Sequence, residues 1–283
     1  MPLEGRGSDY TAQRALLEWT LAALYRRGWP AKLAKAMRLQ GTVRVEHHWV
    51  RAHVWPLGAP PLRIGFASDL HAGPTTHPSL LEEAAQALEA AELDVLLLGG
   101  DFIYLRPDGI EEISRRFGRI PARARYAVLG NHDLWSQDAR IVRALEAEGI
   151  EVLVNRSSTL PSPFEHVSIC GLDEPWTGRP DADAAFDGAA EVRILLMHAP
   201  GGLLVVGPRR FDLALCGHTH GGHIALPGGI PIVNVDPLGR RYPHGEHVVS
   251  DGRTIIVSRG VGATESPVRL FADADVRIVT LSG

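Results

Sequence analysis

Five short segments hold most of the side chains in this chain that can do chemistry: SDLHAG at 68–73, GGD at 99–101, GNHD at 130–133, MHAP at 197–200 and GHTHGGH at 217–223. They deliver Asp69, His71, Asp101, Asn131, His132, His198, His218 and His220. The set offers oxygen and imidazole nitrogen but no sulfur. That mixture suits Mn, Fe or Zn better than Ca, which prefers oxygen alone. It also exceeds the need of one ion, because a tetrahedral catalytic site takes about three protein ligands. Two ions sharing a carboxylate use the set better. Taken singly, each segment has a plain structural reading: an Asp that caps a helix, Gly-Asp and Asn-His-Asp turns, a core histidine with its hydrogen bonds satisfied. The signal is their occurrence together, each after an apolar run.

Those runs predict the elements that must position the groups. From residue 63, strand patterns at 63–68, 94–98, 125–129, 151–154, 166–170, 192–197, 212–216, 247–250, 254–258 and 276–281 alternate with helical patterns at 79–91, 109–117 and 136–148. Such alternation predicts βαβ units and an α/β fold. In an open α/β sheet ligands gather beyond the carboxyl ends of the strands, so residues far apart in sequence can meet there.

Upstream the pattern differs. Residues 11–27 read as an amphipathic helix ended by Gly28 and Pro30, and residues 31–39 as a second helix. WPLGAPPL at 55–62 reads as a linker. We divide the chain into an N-terminal amphipathic, basic helical arm with its linker (1–60) and a main domain (61–283). The arm holds nine Lys or Arg against four Asp or Glu, a net +5 that leaves −9 on the rest of a chain totalling −4. Trp19 and Trp29 sit among its cations. This composition suits peripheral contact with a membrane surface through residues 11–40 and equally suits packing of the arm on the main domain.

Composition removes other classes. With 45% hydrophobic and 22% charged residues the 283-residue chain can build a sizeable core. Its apolar runs are too short to cross a bilayer, two cysteines make no disulfide scaffold, and the net charge argues against a specific nucleic-acid partner. No signal peptide is evident, because Glu18 interrupts the one apolar candidate, so a cytoplasmic location is expected, with membrane association open.

The order D-x-H, G-D, G-N-H-D, H, G-H-x-H resembles the calcineurin-like metallophosphoesterases, and within them the bacterial YkuE and YaeI group, which LLLGGDF, RRYPHG and SRGVGATESPVRLF also match. The resemblance covers roughly residues 62–281. It implies a four-layer sandwich, two mixed β-sheets flanked by helices, with the N-terminal helical arm outside the match. It also implies two divalent ions (Mn, Fe or Zn, with Mg allowed). Asp69, His71 and His220 would hold one, and Asn131, His198 and His218 the other. Asp101 would bridge them, His132 would face the phosphate, and Asp133 would orient His132. The chain departs from the group at His223, where Gln is usual, and at Ala274-Asp275, where Pro-Glu is usual. Neither position is a metal ligand.

The activity this implies is hydrolysis of a phosphodiester, or of a phosphomonoester, by a metal-activated hydroxide. His223, Arg240, Arg241 and Arg259 are candidates for contacting the substrate. One alternative is a pyrophosphatase acting on a lipid-linked nucleotide such as UDP-diacylglucosamine at the membrane surface. A second is a non-catalytic metal-binding interaction module on the same fold, which the complete ligand set disfavours. Metallo-β-lactamase-like enzymes need an H-x-H-x-D-H run that is missing, and arginase-like enzymes lack the G-N-H-D and G-H-x-H segments. The sequence leaves the oligomeric state open.

Overall fold

The computed structural model describes residues 5–233, 235–249 and 252–283. In chain order the strands are β1 (Arg44–Arg51), β2 (Leu62–Ala67), β3 (Val95–Leu98), β4 (Ala124–Ala127), β5 (Glu151–Val152), β6 (Arg156–Thr159), β7 (Val167–Gly171), β8 (Val192–Leu196), β9 (Leu213–Cys216), β10 (Ala225–Leu226), β11 (Ile230–Pro231), β12 (Gly245–Val248), β13 (Thr254–Val257) and β14 (Asp275–Ser282). The α-helices are α1 (Ala12–Leu24), α2 (Trp29–Ala36), α3 (Pro78–Glu89), α4 (Ile110–Gly118), α5 (Asn131–Trp135), α6 (Asp138–Ala147), α7 (Ala182–Phe186) and α8 (Gly202–Val206).

Among the described residues the strands form two six-stranded sheets, β1-β14-β2-β3-β4-β5 and β12-β13-β9-β8-β7-β6, and a small β10-β11 hairpin. Both large sheets are mixed. In the first, β2, β3, β4 and β5 run parallel and β14 is antiparallel to β2. In the second, β7, β8, β9 and β13 run parallel, with β6 and β12 antiparallel at the edges.

The strands are apolar on both faces because both faces are covered. Leu62, Ile64, Phe66, Val95 and Leu97 point between the sheets, where they meet Ile194, Leu196, Leu213, Leu215 and Ile256. Their neighbours Leu96 and Leu98 turn the other way, onto Leu80, Ala84 and Leu88 of α3 and Phe117 of α4. On the second sheet Leu195, Ala214, Cys216 and Ile255 face outward onto α7 and α8. The result is the expected four-layer sandwich.

Two differences concern the N-terminal region. No strand is predicted before residue 62, yet β1 joins the edge of the first sheet and pairs in parallel with β14 from Arg44↔Asp275 to Arg51↔Ser282. Its burial pattern is mostly exposed, so it carries no apolar alternation to read. Pro30 does not close the first helix. It opens α2, one residue into it, after Gly28 in a left-handed conformation, a position where a missing N–H costs nothing. The strand predicted at 247–250 is observed as β12, two residues earlier, and Ser250 lies outside the described residues.

Candidate metal centre

The five segments fall where strand geometry requires. Asp69 follows β2, Asp101 follows β3, Asn131 follows β4, His198 follows β8 and His218 follows β9. Within the first sheet β2, β3 and β4 run parallel to one another, and within the second β8 and β9 do, so in each sheet these carboxyl ends lie at one edge. The loops are tied to each other. Asp69 donates its amide to the Gly100 carbonyl (2.9 Å), and His71 donates to the Asp101 carbonyl (3.0 Å). The peptide N–H of His218 donates to both oxygens of Asp69, at 3.1 and 3.0 Å.

Asp69, His71, Asp101, His218 and His220 all have φ between +40° and +69°. A non-glycine residue there costs about 1–3 kcal/mol, and such strain collects at functional sites. Close approach matters as well. A Cβ on Gly130 would come within 2.1 Å of Asp101 Oδ1, and one on Gly217 within 2.1 Å of Asp69 Oδ2.

The donor atoms form two groupings that share one carboxylate. In the first, His71 Nε2 lies 3.2 Å from His220 Nε2, and His220 Nε2 lies 3.5 Å from Asp69 Oδ1. In the second, His198 Nε2 lies 3.1 Å from His218 Nδ1 and 3.2 Å from Asn131 Oδ1. Asp101 Oδ2 stands between them, 3.5 Å from His71 Nε2 and 3.3 Å from His198 Nε2. Asp69 with His71 and His220, and Asp101 with His198 and His218, each bring their ligand atoms within 4.8 Å of one another. His132 makes a similar grouping with His71 and Asp101.

This donor chemistry fits two divalent cations. Ring nitrogens crowd together, His71 Nε2 on His220 Nε2 and His198 Nε2 on His218 Nδ1, an arrangement that repels unless a proton or cation sits between them. Burial holds His220 well below its ordinary value and also depresses His218, and a neutral imidazole is what a metal needs. His198 differs. Burial opposes its protonation, but Asp101 prevails and pushes it up to about 10. An ion held there would take the place of that proton. The other ring nitrogen of His198, Nδ1, lies 2.8 Å from the Gly99 carbonyl, the outer contact that fixes a ligating imidazole.

One expected role is corrected. Asp133 does not orient the imidazole of His132. Its Oδ2 accepts from the amides of Asp101 (2.8 Å) and Gly130 (3.0 Å), and its Oδ1 from Phe102 (2.9 Å). It therefore clamps the loop after β3 to the turn before α5. Burial, with Asp101 close by, pushes this carboxyl up to about 8. His132 is instead held by its own amide, which donates to Asp101 Oδ1 at 2.9 Å, and by ring contacts with His71, Tyr104 and Trp135.

The expected substrate arginines are elsewhere. Arg240 and Arg241 are exposed, and Arg241 lies over the ring of Tyr242. Arg259 pairs with buried Asp275 at 3.6 Å. Asp275, one of the departures noted above, also accepts from Ser258 and Arg277, so its role is internal pairing. His223 stacks edge-on against His220 with ring centroids 4.8 Å apart. None of these four lines the cavity of about 340 Å³ that opens on Asp101, Asn131, His132, His218 and His220.

The guanidinium lining that cavity is Arg14, from α1 of the N-terminal arm. Its Nη2 is 3.3 Å from His132 Nε2 and 3.3 Å from Glu265, its Nε is 2.8 Å from Glu18, and its Cζ lies over the ring of Trp135, 4.6 Å from the centroid. The arm is anchored on both sides of this contact. Arg6 makes a two-pronged bond to Asp173 at 2.7 Å, Gly7 donates to the Leu134 carbonyl, and Tyr25 donates to the Glu265 carbonyl. Sequence reasoning missed Arg14 because an Arg four residues before a Glu reads as an ordinary surface pair.

Two sheets whose strand ends converge on paired Asp/His groupings with a common carboxylate define a protein built to hold two metal ions side by side. Residues 62–222 match the family described as Calcineurin-like phosphoesterase, and the chain belongs to that family of dinuclear, metal-dependent phosphoester hydrolases. It is similar to "Phosphodiesterase YaeI" of Escherichia coli (30% identical, over 72% of this chain and 77% of that protein). It is also similar to "Uncharacterized metallophosphoesterase YkuE" of Bacillus subtilis (27%, over 84% and 85%). A crystal structure of a dimetal phosphatase from Danio rerio aligns over 72% of this chain and 88% of its own with a TM-score of 0.46 and 14% identity.

Proposed function

We propose that the chain is a phosphodiesterase in which Asp69, His71 and His220 hold one divalent ion, Asn131, His198 and His218 hold the other, and Asp101 touches both. The observation that carries this reading is the position of Asp101 Oδ2 between the two imidazole pairs. Bound ions would neutralise the phosphoryl group and acidify a water, which supplies the nucleophile at neutral pH. The chain supplies the rest. Arg14 donates to a phosphoryl oxygen, stacked on Trp135 so that its fork is already oriented. Because Arg can only donate, its contact with His132 Nε2 requires that nitrogen to be unprotonated in the free protein. Burial agrees, holding His132 well below its ordinary value. Once the substrate draws the Arg14 N–H away, His132 Nε2 can take a proton from water and pass it to the leaving oxygen.

A diester fits the cavity better than a monoester. Beside Arg14, the side chains of Trp135, Trp176 and Val235 offer apolar surface for a second organic group, which a diester has and a monoester lacks. A narrower reading, hydrolysis within a lipid-linked pyrophosphate, is favoured by the apolar arm beside the site.

The test is metal-stripped protein resupplied with Mn, Zn, Fe or Mg, assayed on bis-p-nitrophenyl phosphate and p-nitrophenyl phosphate. Restored activity that favours the diester is the expected result. Two bound ions with neither ester hydrolysed would shift the reading to a narrow substrate, and absence of both activity and metal binding would favour the interaction module. In the same assay Arg14→Ala should lower kcat/KM by about 10–100-fold, the worth of one charge-assisted hydrogen bond. Arg14→Lys should recover only part of it, since an ammonium neither forks nor stacks.

A further inference from the structure

We propose that the outward face of the α1–α2 arm is a docking surface for an anionic lipid bilayer, and that it seats the metal centre beside the membrane. The inward face of α1 carries Arg14, Leu21 and Tyr25 toward the domain. On a helix the opposite face should be polar if it meets only water. Here it is not. Leu16 lies on it with Trp19 toward one margin, Leu17 and Leu24 (i, i+7) form the other margin beside the inward row, and α2 continues with Trp29, Leu33 and Met37 at i, i+4, i+8. Each of these seven side chains is between 44% and 65% exposed. Apolar side chains left singly on a surface need no explanation, but a contiguous stripe marks a binding face.

The charges around the stripe choose the partner. Arg26 and Arg27 lie at the junction of the two helices, and Lys32 and Arg38 flank the second, all exposed or half-exposed. A basic rim with tryptophans at the boundary of an apolar stripe is the pattern of a helix lying in the headgroup layer of an anionic membrane. No helix among the described residues is long and apolar enough to cross a membrane, so the contact is interfacial.

The cavities give the surface a purpose. Trp19, Arg26 and Arg27 line a cavity of about 670 Å³ whose wall includes Tyr104, and the Tyr104 ring packs on His71 and His132. Trp19 also lines a second cavity, of about 230 Å³, which reaches His132 and Trp135. An amphiphilic phosphoester held in the membrane would thus meet concave, partly cationic surface between the stripe and the metal centre. The docking surface does not depend on the phosphodiester reading.

The experiment compares the full chain with the triple variant Leu16→Glu/Leu24→Glu/Leu33→Glu in sedimentation with phosphatidylcholine vesicles, with and without phosphatidylglycerol. All three positions are exposed, so thermal unfolding and hydrolysis of a soluble diester should not change. The native chain should partition at least roughly tenfold more strongly to the anionic vesicles, and less so in high salt. The variant should bind roughly a hundredfold more weakly, about tenfold or less for each leucine withdrawn from the interface. Native chain that ignores both vesicles, or a variant that binds as well as the native chain, would overturn the proposal. So would a concentration-dependent dimer that the same substitutions abolish without vesicle binding, which would assign the stripe to a second copy. Should the variant fail to fold, quenching of native tryptophan fluorescence by brominated lipid, removed by Trp19→Phe/Trp29→Phe, decides instead. Loss of diester hydrolysis with vesicle binding intact would count against the phosphodiesterase reading alone.

Discussion

Replacing Asp101 by Ala should lower kcat/KM on a diester by about ten-thousand-fold, because the several kcal/mol of charge stabilisation from a paired-ion site depends on both ions staying in place. Asp101 Oδ2 is the atom common to the two groupings, so its removal should leave at most one ion bound per chain, countable by atomic emission. The fold should survive. The loop around Asp101 is held by its backbone, through the Asp133 carboxylate and the His71 amide, and the Asp101 carboxylate itself accepts one backbone amide, from His132. Asp101→Asn separates charge from shape. It can keep that hydrogen bond while losing the charge, and it should also lose one ion. An Asn variant with two tightly bound ions and near-native turnover would remove Asp101 from the bridging position.

His132→Ala should show a loss that depends on the leaving group. For diesters with alkyl or nucleoside leaving groups, turnover should fall about 10²–10⁴-fold, the usual worth of a positioned acid. For bis-p-nitrophenyl phosphate the fall should be less than about tenfold, because p-nitrophenolate leaves without a proton. Both ions should remain bound, since Asp101, His198 and His218 on one side and Asp69, His71 and His220 on the other are untouched. Equal losses across all leaving groups, together with loss of an ion, would make His132 a ligand instead, a role its proximity to His71 and Asp101 makes a concrete alternative.

Sequence alone made most of the sandwich legible, for a definite reason. Strands covered on both faces are nearly continuous apolar runs, and those at residues 62–67, 95–98, 192–196 and 213–216, interrupted only by Arg63 and Arg193, cannot be satisfied at a surface. The Asp and His residues were legible because each stands within a few residues of such a run. What escaped was decided by partners distant in sequence. The RVEHHWVR segment of β1 has no apolar face of its own and becomes a strand because β14 is there to pair with it. Arg14 looks like half of a helical Arg–Glu pair until the arm folds over the metal centre. Arg259 looks like a phosphate contact until buried Asp275 is found beside it. The Asp133 misreading has the same root, since adjacency to His132 suggested a side-chain partner when the carboxylate was needed for three backbone amides.

The place of β14 in the first sheet also sets an order of events at the ribosome. The strand formed by residues 275–282 lies between β1 and β2, pairing with residues 44–51 on one side and 62–66 on the other. During synthesis the gap it fills stays empty until residues 275–282 have emerged, so β1 has no partner in the sheet before then. The sheet ends that carry the metal ligands can assemble earlier, because β2, β3, β4, β8 and β9 are already made. The strand that closes the first sheet, and gives β1 its partner, thus arrives after the strand ends that carry the candidate ligands.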